Sequence, residues 1–274
     1  MRTGAEPGGA PGDLDRWFLG GLDRPWGDVQ LLALPHSGGN ASSYRGWLAG
    51  AEPDVDVVPV QLPGRETRLS EPPFTDQPTL IAELADVVSR AGFPRIALFG
   101  HSMGAVLAVN LCRALEGAGV PVAHVFVSGH GGPSQRPTAT FPKDASDEVI
   151  LDALGTTGAP NYEMLLRHPE LREMVLRVMR ADLGLVLSGI VAGPPVRAPI
   201  TVLNGKDDST PAGWDLNEWA TVTRGACVSH LLPGDHFYLV EQGEEVARVI
   251  RTALTELPEP HASGPATRDE DPST

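Results

Sequence analysis

The run Ile96-Ala97-Leu98-Phe99-Gly100-His101-Ser102-Met103-Gly104-Ala105-Val106 constrains this chain more than any other stretch. A short apolar run, Ile96 to Phe99, enters a Gly-x-Ser-x-Gly pentapeptide, and an apolar-rich run from Ala105 to Leu115 leaves it. That reads as strand, sharp turn and helix. In such a turn the serine takes a strained backbone conformation and the flanking glycines admit neighbouring chain, so the hydroxyl projects from the carboxyl edge of a sheet as a nucleophile. The pentapeptide alone recurs by chance in a chain with 31 glycines. Its flanks give it meaning.

The remaining elements alternate. Apolar strand-like runs fall at Val29 to Leu34, Val55 to Val60, His124 to Ser128, Ile200 to Leu203 and Cys227 to Leu232. Thr79 to Ala91 places Leu80, Ile81, Leu84, Val87 and Val88 at helical spacing; a short helix around Tyr44 to Leu48 and a closing helix from about Glu241 to Leu257 complete the series. Strands separated by helices imply an α/β fold, a mostly parallel sheet with helices on both faces. Between Gly129 and Pro199 the rhythm breaks. Asp147 to Leu154, Asn161 to Arg167 and Leu171 to Leu187 read as helices with no strand among them. A helical insertion over about 130–195 would sit above the carboxyl edge as a lid, or pack there with no gating role. The expected organisation is one domain, 26–257, between flexible tails at 1–25 and 258–274 that lack apolar periodicity.

Composition narrows the partners. The net charge of −14 argues against nucleic acid or an anionic membrane surface. No leader-like segment opens the chain and no apolar run reaches the roughly 18 to 20 residues that span a bilayer, so a soluble cytoplasmic protein is expected, with a monomer as default. Cys112 and Cys227 fall in a helix-like and a strand-like run and read as packing thiols. No Cys/His cluster has metal-ligand spacing.

Ser102 needs a base, and eight histidines compete. His236, in Gly234-Asp235-His236-Phe237 between the last strand and the last helix, should emerge at the carboxyl edge. His101 adjoins Ser102 and should point elsewhere; His124 and His230 fit packing roles in strands. His168 lies in the insertion and His261 in the tail, while His36 and His130, in loops at strand ends, stay open as alternatives. A carboxylate must hold the base's tautomer, and Asp207 and Asp208 follow the strand Ile200 to Leu203 at the same edge. Asp208 is preferred, with Asp207 second. The order Ser, Asp, His is that of α/β-hydrolases. The backbone N–H groups of Met103 and of Ser37, in the turn Pro35-His36-Ser37-Gly38-Gly39, are the candidate oxyanion donors.

Six ordered segments resemble the stand-alone type II thioesterases of polyketide synthase and nonribosomal peptide synthetase systems. They are Leu34-Pro35-His36-Ser37-Gly38-Gly39-Asn40-Ala41, Gln61-Leu62-Pro63-Gly64-Arg65-Glu66-Thr67-Arg68, Gly100-His101-Ser102-Met103-Gly104-Ala105, Arg180-Ala181-Asp182-Leu183, Gly205-Lys206-Asp207-Asp208 and Pro233-Gly234-Asp235-His236-Phe237. The family's acid position falls on Asp208. Two departures stand out: Ser37 where the family usually has Ala, and Leu187-Ser188-Gly189 where an acidic residue and a Tyr are common.

The resemblance implies an editing hydrolase that removes aberrant or stalled acyl groups from the phosphopantetheine thiol of acyl or peptidyl carrier domains. It implies no metal and no dissociable cofactor, the phosphopantetheine arm being part of the substrate. A product-releasing thioesterase or general serine esterase is the alternative, and a non-catalytic hydrolase-fold interaction module a further one. For carrier or substrate binding the candidates are His36, Arg172 and Arg177. With Arg167 and Arg180 the two arginines either form a docking surface or a solvated face paired with Glu163, Glu170 and Glu173.

Overall fold

Six strands pair side by side, all parallel, in the order β2-β1-β3-β4-β5-β6. They are β1 (Val29–Leu34), β2 (Val55–Pro59), β3 (Ile96–His101), β4 (Val122–Ser128), β5 (Ile200–Gly205) and β6 (Cys227–Leu232). This computed structural model describes residues 14–20, 27–45, 47, 55–134, 145–160, 162–208 and 215–255. Helices α1 (Gln77–Ala91), α2 (Met103–Gly117) and α6 (Gly243–Thr255) cover the sheet, and α3 (Asp147–Thr156), α4 (Tyr162–Arg167) and α5 (Pro169–Ser188) are inserted between β4 and β5.

Every residue of β1, β3 and β5 is buried, the pattern of strands covered on both faces. Alternation along β1 divides the core. Leu32 and Leu34 join the cluster built with α1 and α2, while Leu31 and Ala33 face Val246, Ile250 and Leu254 of α6. Helix α1 begins where the Asp76 carboxylate accepts from the Thr79 amide at 2.9 Å and ends at Gly92, whose φ of 68° suits a glycine. The insertion has an apolar centre of its own, formed by Ile150, Leu154, Leu165, Leu176, Met179 and Leu183.

The chain moves from β1 outward to β2 and then returns to the other side of β1 as β3. That reversal makes a crevice at the carboxyl ends of β1 and β3, the place where open α/β sheets bind ligands. The register pairs Leu34 with Gly100, so the turn after β1 and the serine turn after β3 are neighbours.

One expectation needs correction. The expected loose tail over 1–25 does not extend through 14–20: Trp17 and Phe18 are 1% and 2% exposed, and Phe18 forms an antiparallel bridge with Val60. Two adjacent aromatics in a Gly-, Pro- and Asp-rich setting carry no period, so a reading by periodicity passes over them. The short helix expected around Tyr44 to Leu48 falls partly on residues 46 and 48, which lie outside the described residues; a 3-10 turn at Ala41–Tyr44 leads into it. Residues 1–13, 21–26 and 256–274, which include the rest of both expected tails, lie outside the described residues. Cys112 and Cys227 are both free thiols, buried and half-buried.

Candidate active site

Ser102 sits between β3 and α2 with φ 55° and ψ −115°, a conformation that a side-chain-bearing residue rarely adopts. The two glycines explain how the turn closes. A Cβ on Gly100 would run into the Gly104 carbonyl, and one on Gly104 would run into the carbonyl of Leu34 at the end of β1. The Ser102 amide donates to the Ser128 carbonyl at 2.7 Å, which ties the turn to the end of β4.

His236 follows β6, and its Nδ1 lies 2.9 Å from Asp208 Oδ2, with the Asp208 carboxylate fully buried and the imidazole 9% exposed. A buried carboxylate accepting from Nδ1–H fixes the tautomer and leaves Nε2 as the nitrogen able to take a proton. The two turns are locked together: the Asp207 amide donates to the Gly234 carbonyl at 3.0 Å, and a Cβ on Gly205 would strike the Asp235 carbonyl. The Asp207 residue is exposed and does not share the bond to His236.

Three more histidines surround this pair. His101 is completely buried, with Nδ1 2.9 Å from Ser128 Oγ, which in turn is 2.7 Å from the Tyr238 hydroxyl. Its ring centre is 4.9 Å from that of His236. Burial, then the neighbouring His236, His36 and His130, hold His101 well below the ordinary histidine value. His36 packs edge-on to Phe237 at 5.1 Å and is pushed down to about 4, by burial first and then by His236 and Arg65. His130 is lowered chiefly by burial, and its Nδ1 approaches the Gly131 carbonyl at 2.9 Å. His124 packs in β4 with Nε2 2.8 Å from Thr201 Oγ1. His230 is half-buried in β6 and His168 is exposed before α5. Among the described histidines only His236 has a carboxylate partner.

The turn after β1 is held from outside. The Gly39 amide donates to the His36 carbonyl at 2.9 Å, and the Gly38 amide donates to Asp182 Oδ2 at 2.8 Å. The Ser37 amide is left without an acceptor among the described residues. Met103 is the first residue of α2, where amides have no partner within the helix. Asp182 and Arg65 belonged to two of the quoted sequence segments but had no role assigned. They lie 117 positions apart and form a buried pair, 2.7 Å between Arg65 Nη2 and Asp182 Oδ1. No local spacing could have matched them.

The proposed docking arginines differ from each other. Arg177 Nη2 donates to the Leu69 carbonyl at 3.0 Å and the Gly64 carbonyl at 3.3 Å, so it fastens α5 to the segment after β2. Arg172 is half-exposed on the same helix. Arg167 pairs with Glu163 at 3.8 Å, and Arg180 with Asp147 and the Ala145 carbonyl.

The family model for the thioesterase domain matches residues 29–254. The chain belongs to the thioesterase family. A relative named linear gramicidin dehydrogenase LgrE, from Brevibacillus parabrevis, is 30% identical to this thioesterase over 243 residues, 87% of this chain and 92% of the relative. Among solved structures, the type II thioesterase BorB from the borrelidin biosynthetic cluster is 34% identical, with a TM-score of 0.74 over 84% of this chain and 95% of BorB. RedJ, the thioesterase of the prodiginine pathway in Streptomyces coelicolor, is 29% identical, with a TM-score of 0.76 over 92% and 91%. The parallel sheet with its inserted helices is therefore the α/β-hydrolase fold of thioesterases, as the sequence led us to expect. Among the described residues of this thioesterase, no helix is long and apolar enough to cross a membrane, and no group of three or more His, Cys, Asp or Glu could hold a metal ion.

Proposed function

We propose that this thioesterase is a type II enzyme of a polyketide or nonribosomal peptide assembly line, clearing acyl groups from the phosphopantetheine thiol of its carrier domains. The observation that carries the reading is the His236–Asp208 pair, 2.9 Å apart and buried, at the same sheet edge as Ser102 in its strained turn. The likeness to BorB, a type II thioesterase from the borrelidin biosynthetic cluster, supports the context.

The chemistry follows from the residues. Ser102 Oγ attacks the thioester carbonyl while His236 Nε2 takes its proton, and Asp208 stabilises the imidazolium that forms. The amides of Met103 and Ser37 hold the oxyanion, each such donor contributing about 3 to 4 kcal/mol to barrier lowering. Collapse expels the pantetheine thiolate, which leaves with the proton from His236. Water, deprotonated by His236, then cleaves the acyl-serine and restores Ser102. The phosphopantetheine arm arrives as part of the carrier-bound substrate.

The test compares hydrolysis of acetyl or propionyl groups on a phosphopantetheinylated carrier domain with the same groups on free pantetheine, for wild type and Ser102→Ala. Faster release from the carrier, abolished by the substitution, is the expected result. Equal rates on carrier and pantetheine would replace editing by general esterase activity. Absence of any Ser102-dependent release would overturn the reading.

A further inference from the structure

We propose that Asp182 and Arg65 are positioning residues that hold the oxyanion turn in its working geometry; the proposal rests on the thioesterase reading above. A carboxylate in the middle of helix α5, completely buried, is an unusual choice for a position an apolar residue could fill. Its partner Arg65 is only 4% exposed. Buried ion pairs are poor devices for stability, because hydrophobic residues of similar volume often serve as well or better. Their use here lies in what else they hold.

Asp182 Oδ2 accepts from the Gly38 amide at 2.8 Å and from Arg65 Nη1 at 3.0 Å, and Arg65 Nη1 donates onward to the Gly39 carbonyl at 3.0 Å. One pair therefore fixes an N–H and a C=O of consecutive residues in a single short turn. Arg65 Nη2 on Asp182 Oδ1 at 2.7 Å completes a two-pronged contact that sets the orientation of both groups. The residue before Gly38 is Ser37, whose amide is the proposed second oxyanion donor. The Gly38 amide is coplanar with the Ser37 carbonyl, and the Ser37 amide is coplanar with the His36 carbonyl, which the Gly39 amide holds at 2.9 Å; fixing the Gly38 amide and the Gly39 carbonyl thus braces the planes on both sides of Ser37. The three segments that meet come from the turn after β1, the segment after β2 and the helical insertion, so the clamp joins parts that local folding would not bring into register. Charge-assisted bonds suit a donor that must not relax when the tetrahedral oxyanion forms.

The test uses full-length Asp182→Asn and the double variant Arg65→Met with Asp182→Asn, the latter leaving no unpaired buried charge. Each is compared with wild type for kcat and KM on an acyl-pantetheine. Each is also titrated with two ligands of the same acyl group: a trifluoromethyl ketone, which forms a hemiketal oxyanion with Ser102, and a thioether, which cannot. We expect kcat to fall by about 10- to 100-fold with KM changed by less than about threefold. Ketone affinity should fall by a like factor while thioether affinity holds. Equal losses on both ligands, or kcat within about threefold of wild type, would overturn the proposal. Hydrogen exchange at the Gly38 amide, followed by NMR, reads the clamp whatever the natural substrate is. Protection reduced at least about tenfold in both variants is expected, and unchanged protection would count against the clamp. Failure of the thioesterase reading would appear elsewhere, in wild type lacking Ser102-dependent thioester turnover.

Discussion

A Cβ placed on Gly38 would stand 2.7 Å from the Sδ of Met179, so helix α5 and the turn after β1 meet where a side chain could fit only if the Met179 thioether moved aside. Gly38 also has φ 72°, where a side chain is strained even in open space. Gly38→Ala should therefore cost about 1 to 3 kcal/mol of stability, most of it from the backbone, and lower activity. Measured in a Met179→Ala background, which carries its own cavity cost, Gly38→Ala should cost less than in wild type, because the collision is gone and the backbone strain remains. Thermal unfolding of both single variants and the double would check this, and no cost of Gly38→Ala in the Met179→Ala background would show that the backbone term is absent.

The strain at Ser102 can be read without reference to catalysis. Ser102→Ala and Ser102→Gly both remove the hydroxyl, but only glycine relaxes at φ 55° and ψ −115°. We expect the glycine variant to be more stable than the alanine variant by about 1 kcal/mol, measured by denaturant unfolding. If the two variants unfold together, the turn does not store strain.

Asp208 and Asp207 are adjacent in sequence and different in place. Asp208 is buried against His236, whereas Asp207 is exposed. Asp208→Asn should preserve the fold and reduce kcat by about 10³- to 10⁴-fold, as expected when an imidazole loses the partner that sets its tautomer. Asp207→Asn should stay within about twofold of wild type. The reverse order in a thioester hydrolysis assay would move the acid to the neighbouring position.

The interior histidines give the protein a direction of pH sensitivity. Burial keeps His124 neutral down to about 4, and His101 is held well below the ordinary value for the same first reason. An unfolded histidine takes up its proton near 6.5, so between those values the unfolded chain binds more protons than the folded one. Stability must then fall as pH drops from about 6.5 towards 4, by up to about 1.4 kcal/mol per pH unit for each such histidine. His124→Gln should flatten the decline in Tm between pH 7 and 4.5. An equal slope in the variant would remove His124 from that account.

Much of the fold was legible because its signals are local. The buried strands are continuous apolar runs, and β1 and β6 occupy the residues read from the sequence. Ser102, His236 and Asp208 could be nominated because each follows a strand, and strand ends in a parallel sheet share an edge. Trp17 and Phe18 were passed over because two aromatics make no period, although both are almost completely buried. The Arg65–Asp182 contact was hidden for another reason. Each residue sits in an ordinary polar context in sequence, and only the tertiary fold removes both from water. Arg177 could be placed on the right helix, but not assigned to the carbonyls of Gly64 and Leu69, since backbone acceptors leave no mark on composition.

Trp17 lies beneath the Arg68 guanidinium, 4.0 Å from ring centre to Cζ, and Phe18 stacks edge-on with Phe93 at 5.2 Å. The Leu19 amide donates to the Pro59 carbonyl at 3.0 Å, so these residues occupy the hydrogen-bonding rim of β2. The sheet consequently has two unlike margins. At the end of β2, Pro59, Val60 and Gln61 have intramolecular partners in Leu19, Phe18 and Trp17; at the opposite margin no strand lies beyond β6 among the described residues, and Val228 and Leu231 are 52% and 54% exposed. Unpaired strand margins are templates for another chain. A fragment cut to begin at β1 would also uncover the Pro59–Gln61 end of β2, adding a second stretch of open backbone on which another chain could pair.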